Sequence, residues 1–218
     1  MIDLNKINTD YLNIKFLITL YLEPIKIAII EQDKYYDNLK IDFFKNIEIV
    51  KKDFSSYEDF QPYYENHFYL YDVTLLKLKQ YNFNSLVLLI FTNLENLLKT
   101  IIEEEFKNIK LKQVKSDFIE NYLKIIAIEL KIDNYNNLES YKFISNYKKL
   151  RNIIVHNNSI LIDKKYIDLF NKNEYLNLIP LEKKNQTSIY KVQIIESKFI
   201  HQLISNSIKL IEDIFKIT

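Results

Sequence analysis

The chain contains no glycine and no cysteine among its 218 residues, and it holds a single arginine, Arg151. Without glycine it cannot form the Gly-rich loops that cradle phosphates in P-loop and dinucleotide-binding proteins, nor a G-x-S-x-G nucleophile elbow. Without cysteine it has no thiol nucleophile, no thiolate metal site and no disulfide. These absences exclude several large enzyme classes before any motif is considered.

Excess charge is almost absent as well, because the formal net charge is +1. A protein that binds long duplexes usually presents a broad basic face, so any nucleic acid would have to be bound locally here. No apolar run approaches the roughly 18 residues of a membrane span. Asp3 and Asp10 precede the first apolar stretch, which does not fit a secretory signal. We therefore expect a soluble cytoplasmic protein without a membrane partner.

What the chain has in abundance is apolar and aromatic side chains, at 48% and 14%. They recur with helical periodicity, which predicts a single, largely all-α domain over residues 1–218. A kink is expected near Pro24, since proline interrupts a helix. One short β-hairpin is expected at 174–179 and 188–194, with its turn at 181–187. The predicted helices cover 6–34, 38–53, 58–80, 84–107, 115–130, 137–157 and 196–216.

The same periodicity predicts which side chains face the interior. Residues 86–91 are apolar on every side, which indicates a central, fully packed helix. Asn136 followed by Glu139 resembles a capping box for the 137–157 helix, and Asn157 and Asn158 suit a left-handed turn at its end. The expected inward positions are Ile41, Phe44 and Ile47; Phe118, Tyr122, Ile125 and Ile126; Phe143, Tyr147, Leu150 and Ile154; and Phe199, Leu203, Leu210 and Phe215.

The 137–157 helix carries the most informative residues, Arg151, Asn152 and His156. In a chain with 29 lysines, one arginine indicates a position where an ammonium group does not suffice. Guanidinium is a planar, permanently charged fork that can hold a phosphate through two parallel hydrogen bonds. Histidine, with an unperturbed pKa of about 6.5, is suited to proton transfer near neutral pH. Together they are the groups needed to cleave RNA without a metal.

This Arg151-Asn152…His156 segment resembles the signature of the HEPN superfamily, in which an arginine, often followed by a polar residue, precedes a histidine by four to six residues. The resemblance covers roughly residues 83–215. It implies a HEPN-like α-helical bundle over 81–218, with residues 1–80 as an N-terminal helical elaboration. In one HEPN subgroup a tyrosine two residues after the histidine is modified by a partner enzyme. Asn158 stands there instead, so that form of control is not expected.

HEPN proteins that keep the motif are typically metal-independent endoribonucleases of toxin–antitoxin, abortive-infection or antiviral defence systems. The resemblance implies the same activity here, with RNA as substrate, no cofactor, no metal and an antitoxin or other defence protein as a possible partner. Arg151, Asn152 and His156 would be catalytic. An ideal helix sets residues five apart about 140° apart in azimuth, so Arg151 and His156 of one chain aim poorly at one phosphate. HEPN motif helices pair across a homodimer, which would solve this.

Three further residues are candidates for contacts at the site. Glu95 lies beside apolar helix positions, so it either positions Arg151 or is a solvated carboxylate at the helix edge. Lys148 and Lys149 either attract the RNA backbone or form an ordinary solvated face. The run Glu103–Glu105 points around a helix and is not expected to bind metal. His67, in an aromatic segment, could stack on bases but is better explained by packing, and His201 has no assigned role.

Two other interpretations remain open. The chain could be a non-catalytic helical dimer that binds RNA, a nucleotide or a protein partner through the same cleft, giving binding without product. It could also be a structural scaffold in which Arg151 and His156 are exposed and apart, as surface cations or cap residues.

Overall fold

The structure is a computed structural model that describes residues 4–106, 118–157, 159–184 and 187–216. Within these residues the chain forms eight α-helices, one 3₁₀ turn at Tyr135–Asn137 and a three-stranded sheet. The mostly helical class predicted from the sequence is confirmed. In chain order the elements are α1 Leu4–Tyr21, α2 Glu23–Lys51, α3 Tyr57–His67, α4 Tyr69–Glu105, α5 Phe118–Glu129, α6 Glu139–Asn157, β1 Ile160–Leu161, α7 Lys164–Asn171, β2 Leu176–Lys184, β3 Thr187–Ile194 and α8 Ser197–Phe215.

The C-terminal half of α4 is the centre of the core, as its apolar sequence predicts. The prediction that 86–91 is packed on every side is wrong at Leu89, which is 43% exposed. Helices α1, α5, α6 and α8 pack around it. Helix α8 is nearly as buried, because its apolar residues keep helical spacing along most of its length. The side chains of α4 with no solvent exposure are Val87, Ile90, Leu94, Leu97, Leu98, Ile101 and Ile102.

The small sheet has the strand order β1-β3-β2, and both neighbouring pairs are antiparallel. The predicted hairpin is confirmed as β2 and β3, although the strands extend into the predicted turn and leave only 185–186 between them, outside the described residues. The register shifts between Pro180 and Lys183. Proline has no amide hydrogen for a ladder, so a shifted position on the edge strand β2 suits it.

The N-terminal arm, defined here as residues 35–82, has a separate and smaller core. It consists of the second half of α2, α3 and the first half of α4, which contact one another. Its apolar cluster is centred on Phe43, Ile47 and Phe60. Ser56 begins α3, since its Oγ accepts a hydrogen bond from the Asp59 amide over 3.1 Å. This N-cap satisfies a free amide of the first helical turn.

Two predicted helix breaks in the arm are wrong. Helix α2 runs without interruption from Glu23 to Lys51, and α4 continues through 80–84, while the actual break falls at Phe68. The expected stripe on α2 is confirmed at Ile47, which is buried, but wrong at Ile41 and Phe44, which are exposed; Phe43 is buried instead. The break near Pro24 is confirmed, since α1 ends at Tyr21 and the proline lies in the first turn of α2. Proline is tolerated there because the first-turn amides have no helical acceptor.

Helix α4 is the one helix in the described part of the chain that is long and apolar enough to cross a membrane. Its most apolar window has a mean hydropathy of 1.5, and half of that window is buried inside the protein. A core helix needs the same composition, so its position at the centre of the fold accounts for it.

Candidate functional site

Helix α6 carries the arginine and histidine and packs its apolar face on α8. It begins at Glu139, since the Lys142 amide donates to the Leu138 carbonyl over 3.0 Å. The predicted capping box at Asn136 is therefore wrong, because Asn136 lies inside the preceding 3₁₀ turn. The buried face is also rotated slightly from the predicted stripe, since Phe143 and Ile154 are only partly buried. Its buried residues are Ser140, Ile144, Tyr147, Leu150 and Ile153.

The C-terminal turn of α6 is attached to the sheet. Ser159 has a left-handed backbone (φ 65°), and its amide donates to the Ile153 carbonyl over 3.1 Å. Its own carbonyl accepts from the Val192 amide of β3 over 2.8 Å. A left-handed residue that returns an amide to the last helical turn ends a helix in this way. The left-handed turn was expected at Asn157 or Asn158, but Asn157 is helical and Asn158 lies outside the described residues.

Arg151 is half-buried between α6 and the core helix α4. Its Nη1 donates to the Asn152 Oδ1 over 3.2 Å. The side-chain carbonyl of Asn152 is therefore directed to the guanidinium rather than to His156. A half-buried guanidinium with one arm held and other N–H groups remaining is a suitable donor for an incoming oxyanion.

Glu95 of α4 is the acidic group that acts on Arg151. Burial raises the pKa of the Glu95 carboxyl, and the Arg151 guanidinium partly offsets that rise. The neighbouring Tyr122 of α5 is buried, which raises the pKa of its hydroxyl, and the charges of Glu95 and Glu103 add to that rise. Glu95 is partly buried and lies within electrostatic range of Arg151, but no ion pair within 4.0 Å joins the two side chains among the described residues. That Glu95 positions Arg151 stays a prediction. The structure thus brings Glu95, Tyr122 and Arg151 together from three helices.

His156 lies in the last turn of α6 and is exposed. Among the described residues it has no hydrogen bond, ion pair or ring contact. Its imidazole is therefore accessible to a ligand that approaches this end of α6. Within one chain the helix directs Arg151 towards α4 and His156 towards solvent, as their five-residue separation requires.

The two lysines before Arg151 have different surroundings. Lys148 forms an ion pair with Glu120 of α5, with 3.0 Å between Nζ and Oε2. Lys149 points to the other side of α6, and its Nζ lies 5.6 Å from the ring centre of Tyr166 on α7. The charge of Lys148 is partly neutralised by its partner, so Lys149 is the better placed of the two for binding an anion.

The other candidate groups lie apart from α6. The ring of His67 is 4.2 Å from the ring of Tyr63 in the arm, and His201 Nε2 is 3.0 Å from Asp33 Oδ2. Glu103 pairs with Lys99 over 3.7 Å, and Glu105 accepts from Asn13 over 3.0 Å, so this acidic run points to different partners. The described residues contain no group of three or more acidic or histidine side chains that could hold a metal ion.

Sequence reasoning missed helix α7, and with it Tyr166 and Lys165 near the candidate site. The sequence does contain signals for this helix, but they extend over only eight residues. Asp163 is the N-cap, since its Oδ1 accepts from the Lys165 amide over 3.1 Å, and Tyr166 and Phe170 keep i,i+4 spacing. A cavity of about 340 Å³ was missed as well. It lies in the arm beside Phe43, His67 and Tyr71, away from the motif.

No known family model matches the chain, and no curated protein and no solved structure shows significant similarity to it. The function must therefore be argued from the residues and their geometry.

Proposed function

We propose that this chain is a metal-independent endoribonuclease of the HEPN type, acting as a toxin or antiviral defence effector in the cytoplasm. The observation that supports this most is the pairing of a half-buried arginine, held by Asn152 near Glu95, with an exposed histidine on the same helix. RNA cleavage needs charge stabilisation and proton transfer, and α6 has a side chain suited to each, Arg151 for the first and His156 for the second.

The reaction uses the nucleophile that RNA carries itself. His156 accepts the proton of the ribose 2′-hydroxyl while the 2′-oxygen forms a bond to phosphorus. Arg151 binds the non-bridging phosphate oxygens, where negative charge develops. The bond from phosphorus to the 5′-oxygen then breaks, and a protonated histidine supplies the proton to that oxygen. The products are a 2′,3′-cyclic phosphate and a 5′-hydroxyl.

We propose that two copies of α6 form the cleft. In one chain Arg151 and His156 diverge by about 140°, and Val155 lies between them in azimuth. Val155 is apolar yet 46% exposed. A second α6 packed on Val155 would cover this apolar side chain and bring its own Arg151 and His156 to the same groove. Each phosphate would then meet two arginines and two histidines.

The first test is a set of single substitutions assayed for RNA cleavage in EDTA. Arg151→Ala and His156→Ala should each lower the rate at least ~100-fold, since each removes a group that acts in the transition state. Arg151→Lys should be severely impaired too, because it keeps the charge but loses the fork. His67→Ala is the matched control and should retain full activity, since His67 lies in the arm. Undiminished cleavage by both α6 variants overturns the proposal.

The shared cleft has its own test. Neither Arg151→Ala nor His156→Ala should cleave RNA alone, but mixing the two should form heterodimers that keep one arginine and one histidine. Activity of the mixture above either parent indicates a cleft built from two chains. Mixing without any recovery, together with a monomeric mass in solution, counts against the dimer.

The alternative function is a non-catalytic module that binds RNA, a nucleotide or a protein partner, such as an antitoxin. One observation favours it: the charge of Arg151 is already partly compensated by Glu95, and one of its N–H groups by Asn152. It predicts that pure protein retains RNA without producing any shorter fragment.

A further inference from the structure

Tyr166 of α7 has two lysine ammonium groups over its ring. Lys149 Nζ of α6 and Lys165 Nζ of α7 each lie 5.6 Å from the ring centre. The negative face of an aromatic ring attracts each ammonium group. The two charges repel each other, however, since they are at most twice that distance apart. An anion bound at the edge of the ring would be attracted by both ammonium groups and would offset their repulsion.

Among the residues that the structure describes, neither lysine has an acidic partner. In the part of the chain that the structure describes, no carboxylate oxygen lies within 4.0 Å of the ammonium group of Lys149 or Lys165. Lys148 and Lys142, on the same helix α6, both have one. The nearest acid along the chain, Asp163, accepts the Lys165 amide as the N-cap of α7. The pair is therefore a local concentration of uncompensated positive charge.

The ring that orders these lysines is itself fixed in place. Tyr166 contacts Phe170, which is fully buried, at 6.1 Å between ring centres. Phe170 in turn stacks on Tyr147 of α6 at 5.8 Å with the ring planes 10° apart. This row of rings joins α7 to α6. Lysine stems held against a fixed ring lose less entropy when they bind an anion.

Lys149, the member of this lysine pair on α6, lies on the same face of that helix as His156. Lys149 and His156 are seven residues apart, so they differ by only about 20° in azimuth and by about 10 Å along the helix axis. A strand whose phosphodiester lies at His156 can therefore pass a neighbouring phosphate over Tyr166.

We propose that Lys149 and Lys165, ordered by Tyr166, form a subsite for a backbone phosphate of single-stranded RNA close to the cleaved linkage. This proposal rests on the function proposed above. A single strand suits the site because the uncompensated charge is local and the net charge of the chain is only +1, which does not provide a duplex-binding face.

The test measures binding of a fluorescein-labelled, 2′-O-methyl RNA oligonucleotide, which cannot be cleaved, by anisotropy in EDTA over a salt series. The test variant is Lys149→Gln with Lys165→Gln in the full-length protein. The control is Lys164→Gln with Lys172→Gln, which removes the same charge from exposed lysines at the two ends of α7. The test variant should bind about ten-fold more weakly at low salt. Its slope of log K against log salt should fall by about 0.7, the value for one lost phosphate contact on a single strand. The control should change binding less than about two-fold.

Two further variants test whether the Tyr166 ring orders the lysines, separately from the charge that the lysines carry. Tyr166→Phe keeps the ring and should bind as the wild type does, whereas Tyr166→Ala should lose affinity while both lysines remain. Circular dichroism checks that each variant is folded. If Tyr166→Ala is unstable, the paired lysine variants decide the outcome, because they alter only the exposed ends of side chains.

The outcomes separate this subsite from the nuclease activity. Cleavage by the wild type, with equal binding losses in the test and control variants, overturns the subsite and leaves the nuclease intact. Absence of cleavage, with binding lost only in the test variant, supports the subsite and contradicts the nuclease. If ATP binds with the same dependence on Lys149 and Lys165 but the oligonucleotide does not, the ligand is a free polyphosphate and the RNA subsite is wrong. A wild type that neither binds nor cleaves overturns both.

Discussion

The two halves of α4 have very different surroundings, although they belong to one continuous helix. The C-terminal half packs most of its surface in the core, and Leu94, Leu97 and Leu98 have no solvent exposure. The N-terminal half lies in the arm, where Leu70, Leu76 and Tyr81 are each more than 60% exposed. The candidate site is built against the enclosed half, through Glu95. A site that must hold Arg151 in one position benefits from this, because tightly packed neighbours fix its geometry.

The arm buries much less apolar surface than its composition would allow. Its core cluster contains only three fully buried apolar side chains, and eleven of its large apolar side chains are exposed. Burial contributes roughly 25 cal/mol per Å² of apolar surface, so we expect the arm to open at a lower free energy than the rest of the protein. The exposed side chains are Tyr35, Ile41, Phe44, Ile49, Tyr57, Tyr69, Leu70, Tyr71, Leu76, Leu78 and Tyr81.

The largest effect should come from the same substitution made in each half of α4. Leu98→Ala leaves a cavity in the enclosed half and should lower the free energy of unfolding by about 3–5 kcal/mol. Leu75 is only partly buried in the arm, so Leu75→Ala should cost about 1 kcal/mol. Urea denaturation followed by circular dichroism measures both. Equal losses of unfolding free energy would show that the two halves of α4 are packed alike, which would contradict the difference described above.

A smaller effect is expected where the arm leaves the core. Asp33 of α2 and His201 of α8 are joined at 3.0 Å, and both side chains are about one-third exposed. Asp33→Asn should therefore cost less than about 1 kcal/mol. Hydrogen exchange should increase first in the second half of α2, while α8 stays protected. Asp37→Asn, one turn along on an exposed position, is the control. An identical exchange pattern in both variants would mean that the pair does not hold the arm.

The smallest effect concerns Glu95 and depends on pH. Because burial raises the pKa of this carboxyl, its charged form is less stable folded than unfolded. At about pH 4 the carboxyl is protonated and this destabilisation is absent. It develops as the pH rises through the raised pKa of Glu95. Glu95→Gln should raise the free energy of unfolding at pH 7 by less than about 1 kcal/mol, and by nothing measurable at pH 4. Thermal unfolding at the two pH values checks this, and a gain that is larger at pH 4 would contradict it.

The same comparison shows how much of the fold the sequence could predict. Helices α6 and α8 were predicted within two residues of their ends, because long amphipathic helices have a strong period. The arm was predicted less well. A break was predicted between 80 and 84, where the long α4 has none, and the real break at Phe68 carries no glycine or proline signal.

The candidate site was predictable in its residues but not in its contacts. Arg151 was singled out because it is the only arginine, and His156 because of its spacing. The association of Glu95 with Arg151 joins residues 56 positions apart, which helical periodicity does not specify. Lys165 and Tyr166 lie on α7, an eight-residue helix that is too short for its period to stand out.

The most direct measurement is the identity of the RNA ends left by the purified full-length protein in EDTA. We expect the wild type to leave a 2′,3′-cyclic phosphate and a 5′-hydroxyl, and His156→Ala to leave the RNA intact. Cleavage that requires added metal and leaves a 5′-phosphate, or no cleavage by a folded wild type, would contradict a nuclease built on Arg151 and His156.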